Sequence, residues 1–339
     1  MPMAETGNNA ANAAGRYLFF DIECACVFKD TAKICAFGYC LTDEHFNILE
    51  KEDILINPKG KFHLTDRKGR AGLVLPYDYE DFKKHPAFPK VYDRIRALLE
   101  DENHLVFGHA TGNDVKYLNL ETGRFHLPAF RFRFYDTQLI YMTRLGSFSR
   151  QYSLESITQD LNVDFTPHRA AEDAYATMRA AQAMCAAENL SLPALLEKYA
   201  VLPGYTAKGR TVNGSSLAMK QYVEEARRAR EEREKAHAEF CRYVEKNRPK
   251  KRSPAVKYGE WREKVFCFSR EIENNLSASV RYVAEIYRRG GMYSFKSDRC
   301  TVYVRAEKDE GKRLHDAQAA QAEIVEEREF AALFEEALV

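Results

Sequence analysis

Apolar and polar residues alternate along the chain in two periods, which together predict an α/β fold. Runs rich in β-branched and aromatic residues predict strands at 17–22, 33–42, 45–56 and 104–108. Apolar side chains that recur every three or four residues predict helices at 89–100, 113–121, 137–145, 153–161, 170–188 and 192–199. Because strands alternate with helices in this order, residues 16–204 are expected to form one domain.

The pattern changes beyond this domain. Residues 204–216, rich in Gly, Ser, Thr and Asn, predict a loop, and residues 217–246 predict a long charged helix that ends before Pro249 and Pro254. Further on, β-rich runs again alternate with helical patterns, including a helix at 273–289, which predicts a small parallel-sheet α/β unit. The expected divisions outside the first domain are a disordered tail at 1–15, a basic helical linker at 205–257 and a second domain at 258–339.

Length and composition narrow the class of protein. A chain of 339 residues that is 45% hydrophobic and 30% charged can bury two cores and is expected to be soluble. No apolar run reaches the roughly 18–20 residues of a membrane span, and the first fifteen residues lack the features of a secretory signal. The eight cysteines follow no zinc or disulfide pattern, which favours free thiols and a cytoplasmic location.

The net charge of +1 hides a local excess of basic residues. Residues 205–258 carry 15 Lys and Arg against 7 Glu, a net of +8. Such a segment can bind the phosphate backbone of nucleic acids without regard to base sequence. The same composition is also typical of a solvated charged helix, and the sequence leaves both interpretations open.

Five residues offer metal-binding or acid–base chemistry. Asp21 and Glu23 follow an apolar run and, two residues apart on a strand, project from the same face. Asp114 opens a predicted helix, and His168 precedes Asp173 by five positions. Taken singly, each has an ordinary explanation, because solvated strand ends, acids in first helical turns and capping histidines are common. Two unpaired carboxylates on a buried strand are costly, however, which favours a shared cation.

The order D-x-E, D and H-x(4)-D resembles the DEDDh exonuclease family over roughly residues 17–190. Asp136-Thr137 and the stretch 153–178 are similar to the corresponding parts of RNase T and of the proofreading epsilon subunit of bacterial DNA polymerase III. The resemblance implies a ribonuclease H-like α/β domain with a mixed sheet. It also implies hydrolysis of nucleic acid from the 3′ end, with nucleoside 5′-monophosphates as products.

The same resemblance implies roles for the five residues. Asp21, Glu23, Asp114 and Asp173 are expected to hold two Mg²⁺ or Mn²⁺ ions, which both favour oxygen ligands. These ions would activate a water molecule and stabilise the leaving 3′ oxygen during in-line attack. His168, whose ordinary pKa lies near neutrality, is expected to accept the proton of that water as general base.

The residues around this set depart from the family pattern. Cys24-Ala25-Cys26 follows the D-x-E in place of a Thr-rich turn, which removes side-chain hydroxyl contacts to the terminal nucleotide. His109 matches the family and is expected to support the site from outside the metal ligands. The Asn and Phe that usually precede the third acid are absent.

A long loop at 57–88 stands where the family usually has a short segment between the third strand and the next helix. This loop contains basic residues together with Tyr77, Tyr79 and Phe82. The departures affect the expected substrate preference more than the expected chemistry. Asp136 precedes a predicted helix and is interpreted as a structural residue at its N-terminus.

Residues 264–338 resemble a single BRCT domain of the kind associated with bacterial ligases. The matching features are VFCFS, Arg289-Gly290-Gly291, TVYV, Gly311-Lys312 and the final helix. In BRCT domains that bind phosphate, a strand-end Ser or Thr and a helix Lys make the contact, so Ser269 and Lys312 are the candidate phosphate ligands. A BRCT-like fold used only for packing or protein contact is an equal alternative.

The sequence therefore predicts a DNA 3′→5′ exonuclease that acts in repair or replication. Its partners are expected to be single-stranded or 3′-end nucleic acid and, through the BRCT-like unit, a replication or repair protein, with no membrane. One alternative is an RNA 3′ exonuclease of RNase T type, which shares every catalytic residue. Another is a non-catalytic scaffold in which the BRCT-like unit is the active part, although the complete set of acids argues against it.

Overall fold

The computed structural model describes residues 15–60, 79–164, 169–250 and 252–335. Within it the chain divides into two compact units, Met1–Tyr222 and Val223–Val339. The predicted tail, apart from Gly15, lies outside the described residues, as do Tyr77 and His168. No described helix is both long and apolar enough to cross a membrane.

The first unit is built on a mixed sheet of seven strands. Strands β1, β2 and β3 form an antiparallel meander, β4 and β5 run parallel to β1, and β7 and β8 extend the sheet in antiparallel fashion beyond β5. This arrangement agrees with the predicted α/β fold with a mixed sheet. Its seven strands are β1 (Arg16–Phe28), β2 (Thr31–Asp43), β3 (Ile48–Leu55), β4 (His104–Gly108), β5 (Phe132–Asp136), β7 (Gly204–Ala207) and β8 (Arg210–Val212), and a separate antiparallel pair is formed by β6 (Val201–Leu202) and β9 (Ser215–Ser216).

Helices cover both faces of this sheet, and the structure confirms each one predicted from the helical spacing. Ser153 and Ser191 cap their helices by accepting hydrogen bonds from backbone N–H groups. The helices of this unit are α1 (Tyr79–Phe82), α2 (Phe88–Leu99), α3 (Gly112–Arg124), α4 (Thr137–Leu145), α5 (Leu154–Asp160), α6 (Ala170–Glu188) and α7 (Leu192–Lys198).

Strand β1 supplies side chains to two separate cores. Tyr17 and Phe19 point to one face, where they join the apolar cluster formed with α4, α6 and α7. Leu18, Phe20 and Ile22 point to the other face and join the cluster formed with α2 and α3. Because the strand is buried on both faces, its apolar run is continuous and then ends in carboxylates.

Helix α6 approaches the sheet closely at Gly38 of β2. A methyl group added to Gly38 would lie 2.0 Å from the backbone carbon of Ala170 and 2.1 Å from the backbone nitrogen of Ala171, at the start of α6. Gly38 is paired with Asp21 on one side and with Asp53 of β3 on the other. Only a residue without a side chain lets α6 begin directly over this point of the sheet.

The prediction of a loop at 204–216 is wrong, because much of this segment is β-structure. Strand β7 pairs with β5, and β8 pairs with β7, so this segment forms the edge of the main sheet. Asn119 of α3 holds the edge in place, donating hydrogen bonds of 3.0 Å to the hydroxyl groups of Thr206 and Thr211. The strands are short and polar, so their composition resembles that of a loop.

The second unit contains a four-stranded sheet in the order β11-β10-β12-β13, with every neighbouring pair parallel. The small parallel α/β unit predicted from the sequence is therefore confirmed as an architecture. Its strands are β10 (Val265–Phe268), β11 (Met292–Tyr293), β12 (Val302–Arg305) and β13 (Glu323–Glu326). Its helices, including the one that begins in the first unit, are α8 (Leu217–Asn247), α9 (Pro254–Tyr258), α10 (Arg270–Asn274), α11 (Leu276–Arg288), α12 (Lys312–Ala319) and α13 (Glu327–Glu335).

Two helix predictions in this part of the chain have different outcomes. The long charged helix is confirmed as α8, and Phe240 and Val244 near its end are buried in the core of the second unit. The single helix expected at 273–289 is instead two helices, α10 and α11. Asn275 separates them with a non-helical backbone conformation and caps α11 by accepting a hydrogen bond from Ala278.

Gly38→Ala should destabilise the first unit, because rigid backbone atoms of α6 must move to admit the methyl group. The expected loss is at least about 1–3 kcal/mol in the free energy of unfolding, the usual cost of overpacking. Gly123→Ala in α3 is the matched control, since nothing lies within 4 Å of its added methyl group. Denaturant titration of the two variants would contradict this account if their midpoints were equal.

Candidate active site

Three of the sequence-predicted acids meet at the point where α6 begins over the sheet. Asp21 and Glu23 project from β1, and Asp173 lies in the first turn of α6. One carboxylate oxygen from each lies within 4.8 Å of the other two. Glu23 and Asp173 are each only 8% exposed. The structure thus brings together residues that are 150 positions apart in the chain.

The fourth acid, Asp114, lies in the first turn of α3 and is 6% exposed. Its charge acts on Asp21, whose pKa is raised well above its usual range by burial first and then by Asp114, Asp173 and Glu23. Burial also raises the pKa of Asp114, with Asp136 and Glu23 as further causes. All four predicted acids therefore belong to one electrostatic site.

The same crowding acts on Glu23. Burial, followed by the charges of Asp173 and Asp53, raises the pKa of Glu23 from 4.5 to about 7. Carboxylates arranged in this way repel one another and are poorly solvated, so they are stable as anions only with a cation between them. The donor set consists of oxygen atoms alone, which is the set that Mg²⁺ and Mn²⁺ prefer. The residues present therefore fit a divalent-metal site.

Asp53 of β3 is a further acid beside this site that the sequence did not indicate. Its Oδ1 accepts a 2.7 Å hydrogen bond from the backbone N–H of Ala171, in the first turn of α6. Two residues earlier, Lys51 Nζ forms a 2.8 Å ion pair with Glu172 of the same turn. Strand β3 thereby fixes the start of the helix that carries Asp173. The alternation of β3 gives both side chains the same face, but its pairing with β2 could not be read from the sequence.

Asp136 is the N-cap of α4, as predicted. Its Oδ1 accepts hydrogen bonds from the backbone N–H groups of Gln138, at 2.9 Å, and of Ala110, at 3.0 Å. Burial raises the pKa of Asp136 to about 6, and its charge in turn raises the pKa of Asp114. A residue assigned to structure alone therefore also contributes to the electrostatics of the site.

His109 lies between β4 and α3. Its Nε2 is 3.0 Å from the carbonyl oxygen of Tyr152, and Thr137 Oγ1 is 3.4 Å from its Nδ1. Burial lowers the pKa of His109 to about 4, so the ring is neutral at physiological pH and donates its Nε2 proton to Tyr152. These contacts fix the segment that leads into α3, in keeping with the expected supporting role.

The Cys24-Ala25-Cys26 segment continues β1 and does not form a turn. The pairing of β1 with β2 shifts register at Cys24, which marks an irregularity immediately after Glu23. Ala25 and Cys35 are fully buried, and they pack with Phe82, which is 1% exposed. Of the aromatic residues in the predicted loop, Phe82 therefore belongs to the core.

The two candidate phosphate ligands of the second unit have different environments. Ser269 is 1% exposed, and its Oγ accepts a 3.3 Å hydrogen bond from the backbone N–H of Ala306. Lys312 is the first residue of α12 and is exposed. The adjacent Arg313 points inward and donates a 2.9 Å hydrogen bond to the buried Glu273. Phosphate binding by Ser269 and Lys312 stays a prediction.

Comparison with known proteins gives one match at the level of family. A family model described as "Exonuclease" matches residues 18–181. The comparison with curated proteins found no match.

Several solved structures are similar to the chain at low identity. A 3′-exonuclease that recognises the 3′ end of the histone mRNA stem-loop shares 13% identity at a TM-score of 0.45, over 62% of this chain and 73% of that protein. The nuclease domain of 3′hExo, a DEDDh family member bound to rAMP, shares 14% at 0.42, over 52% and 93%. E. coli Exonuclease I in complex with an oligonucleotide shares 15% at 0.42, over 55% and 43%. At these identities and TM-scores, the activities of these proteins are not transferred to this chain.

The matched segment contains all of the clustered acids, from Asp21 to Asp173, and His168 as well. Its boundaries also enclose β1 to β5 and most of α6, the elements that position those acids. Residues 18–181 of this chain are an exonuclease domain.

Proposed function

We propose that this protein is a metal-dependent 3′→5′ exonuclease that removes nucleoside 5′-monophosphates from DNA. The observation that carries the proposal is the approach of Asp21, Glu23 and Asp173 to within 4.8 Å, with Asp114 coupled to them by charge. Four carboxylates in one site, three of them buried and Asp21 half-buried, serve no purpose in packing, because each is costly to remove from water. A pair of divalent cations is the partner that makes them favourable.

The chain's own residues would divide the work as follows. Asp21, Glu23, Asp114 and Asp173 hold the cations, and Asp53 and Gly38 fix the helix that carries Asp173. When bound, such cations polarise the attacking water and stabilise charge on the leaving oxygen. We assign the role of general base to His168, five residues before Asp173. His109 keeps the segment before α3 in position through Tyr152.

We propose DNA as the substrate, although the carboxylates would act on the phosphodiester in DNA and in RNA alike. The direction of digestion and the sugar can be tested with one set of substrates. Single-stranded DNA and RNA of matched base sequence, labelled at either end, would show from which end nucleotides are lost and which polymer is preferred. We also propose that the protein acts in DNA repair or replication.

The basic segment is proposed to hold nucleic acid, and the structure locates its charge. Four glutamates of α8 pair with arginines one turn away; Glu224, for example, accepts hydrogen bonds from both Arg227 and Arg228. Because α8 contains nearly as many glutamates as lysines and arginines, it offers little uncompensated charge. The exposed Arg248, Lys250 and Arg252 follow it and provide part of the excess that would contact phosphates.

Replacing one metal ligand by its amide should abolish activity without unfolding the protein. For Asp21→Asn and Asp173→Asn we expect loss of Mg²⁺-dependent nucleotide release from the 3′ end, because the amide provides one poor ligand oxygen and no charge. Asp93→Asn, an exposed acid on α2, is the matched control. Activity that survives EDTA, or that either variant retains in full, would refute the metal mechanism.

His168→Ala should lower the rate of cleavage roughly 10²- to 10⁴-fold, the usual contribution of a general base. Metal affinity should change little, because the substitution leaves all four carboxylates in place. The acidic limb of the pH–rate profile should also disappear in the variant. A profile that keeps its acidic limb would place the base elsewhere.

Glu23 should make the metal-free protein less stable as the pH rises. Its folded pKa of about 7 lies above its ordinary value of 4.5, so the stabilisation is complete below about pH 4.5 and is lost as pH rises towards 7. The expected loss is on the order of 2–3 kcal/mol. Melting temperatures measured in EDTA should therefore fall across this window.

Glu23→Gln is the variant that isolates this effect. It should flatten the fall in melting temperature, and near neutral pH it should raise the stability of the metal-free protein while removing activity. Mg²⁺ should stabilise the unsubstituted protein most where the carboxylates are ionised. The same pH dependence in both proteins would show that Glu23 titrates normally.

A further inference from the structure

A cavity of about 630 Å³ opens along the first half of α3, and the proposed function assigns it no role. Its walls come from the first half of α3, from the start of α4 and from the segment that contains β8 and β9. The volume lies in the range of pockets that hold nucleotide-sized ligands.

One wall of the cavity lies outside the segment that matches the family. Gly209, Thr211, Asn213, Gly214 and Met219 line it, and all lie beyond the end of the family match at residue 181. The wall is closely fitted to the exonuclease domain. A methyl group added to Gly112, the first residue of α3, would lie 2.4 Å from Oδ1 of Asn213.

The polar side chains around the cavity fall into two groups. Asn119 and Gln138 are committed to the fold, since Asn119 bonds to Thr206 and Thr211 and Gln138 donates a 2.7 Å hydrogen bond to Tyr152. The second group makes no side-chain hydrogen bond or ion pair with any residue that the structure describes. Its members are Asn113, Lys116, Gln151 and Asn213.

This second group has the chemistry of a nucleotide site. Asn and Gln amides each offer a donor and an acceptor, as the edges of nucleobases do, and can form paired hydrogen bonds with a base. Lys116 is exposed and supplies the positive charge that a phosphate requires. Leu139, Met142 and Met219 add apolar surface against which a flat ring can pack.

The cavity reaches the N-terminal turn of α3, the turn that carries Asp114. Ala110, Gly112 and Asn113 line it there, whereas Asp114 lies on another face of the helix. Asp136 also lines the cavity, and its charge raises the pKa of Asp114. The cavity and the carboxylates therefore share the N-terminal turn of α3.

We propose that this cavity binds the base of one of the last three nucleotides of the substrate strand, and so sets base preference. The inference rests on the proposed exonuclease function and adds a subsite to it. Asn113 and Asn213, from the two walls that meet at Gly112, hold the base edge, and Lys116 contacts the strand's phosphate.

The test combines changes in the enzyme with removal of single bases from the substrate. Oligonucleotides would carry an abasic residue at the terminal, penultimate or third position from the 3′ end, and kcat/KM would be measured for release of the first nucleotide. For the unsubstituted protein, one position should show a loss of roughly 5- to 150-fold, the range that a paired amide–base contact provides. The position affected identifies which nucleotide occupies the cavity.

In the double variant Asn113→Ala/Asn213→Ala, removing the same base should cost little more, because the groups that recognise it are gone. Gln159→Ala, an exposed amide on α5, should behave as the unsubstituted protein does. Metal-dependent hydrolysis of bis(p-nitrophenyl) phosphate, which has no base, should be retained by both. If the double variant loses that hydrolysis, Lys116→Ala takes its place, with a raised KM for oligonucleotides as the expected result.

The inference is overturned if base removal has no effect at any of the three positions, or has the same effect in the double variant as in the unsubstituted protein. An unchanged KM in Lys116→Ala would also overturn it. A failure of the proposed function would differ from these results, because the unsubstituted protein would then release no nucleotides from any oligonucleotide.

Discussion

The approach of α6 to Gly38 is the contact on which the site depends. Asp21 and Glu23 are fixed by their strand, but Asp173 joins them only because its helix begins directly over β2. The absence of a side chain at Gly38 makes that position available, and Asp53 then satisfies a backbone N–H that the start of the helix would leave without a partner. Steric fit and one hydrogen bond thus decide where the carboxylate of Asp173 lies.

The cost of this arrangement is electrostatic. Burial and mutual repulsion raise the pKa values of Asp21, Glu23 and Asp114. Without a cation, the ionised forms of these carboxylates therefore destabilise the folded state. Cation binding turns the same repulsion into affinity. A site of this kind is expected to be less stable than its amide variants when empty, a trade between stability and activity common in enzymes.

Much of this site could be predicted from the sequence because its signals are local. The pair Asp21 and Glu23 follows an apolar run, and the capping positions Ser153 and Asp136 mark helix starts. Asp53 could not be found, because its role depends on the register between β2 and β3 and on a helix more than 100 residues away. The edge strands β7 and β8 were missed for a related reason. Their short polar sequences acquire β-structure only from pairing with β5.

Those edge strands change how the two units can be separated. A chain shortened at Leu202, near the boundary that composition suggests, would lose β7 and β8, together with the cavity wall that they support. It would also free Asn119 of α3, the helix that carries Asp114, from its bonds to Thr206 and Thr211. Lost activity would then report damage to the exonuclease domain, whatever the second unit does. A truncation that isolates the contribution of Arg248 to Arg252 must therefore keep the first unit whole and end after Tyr222.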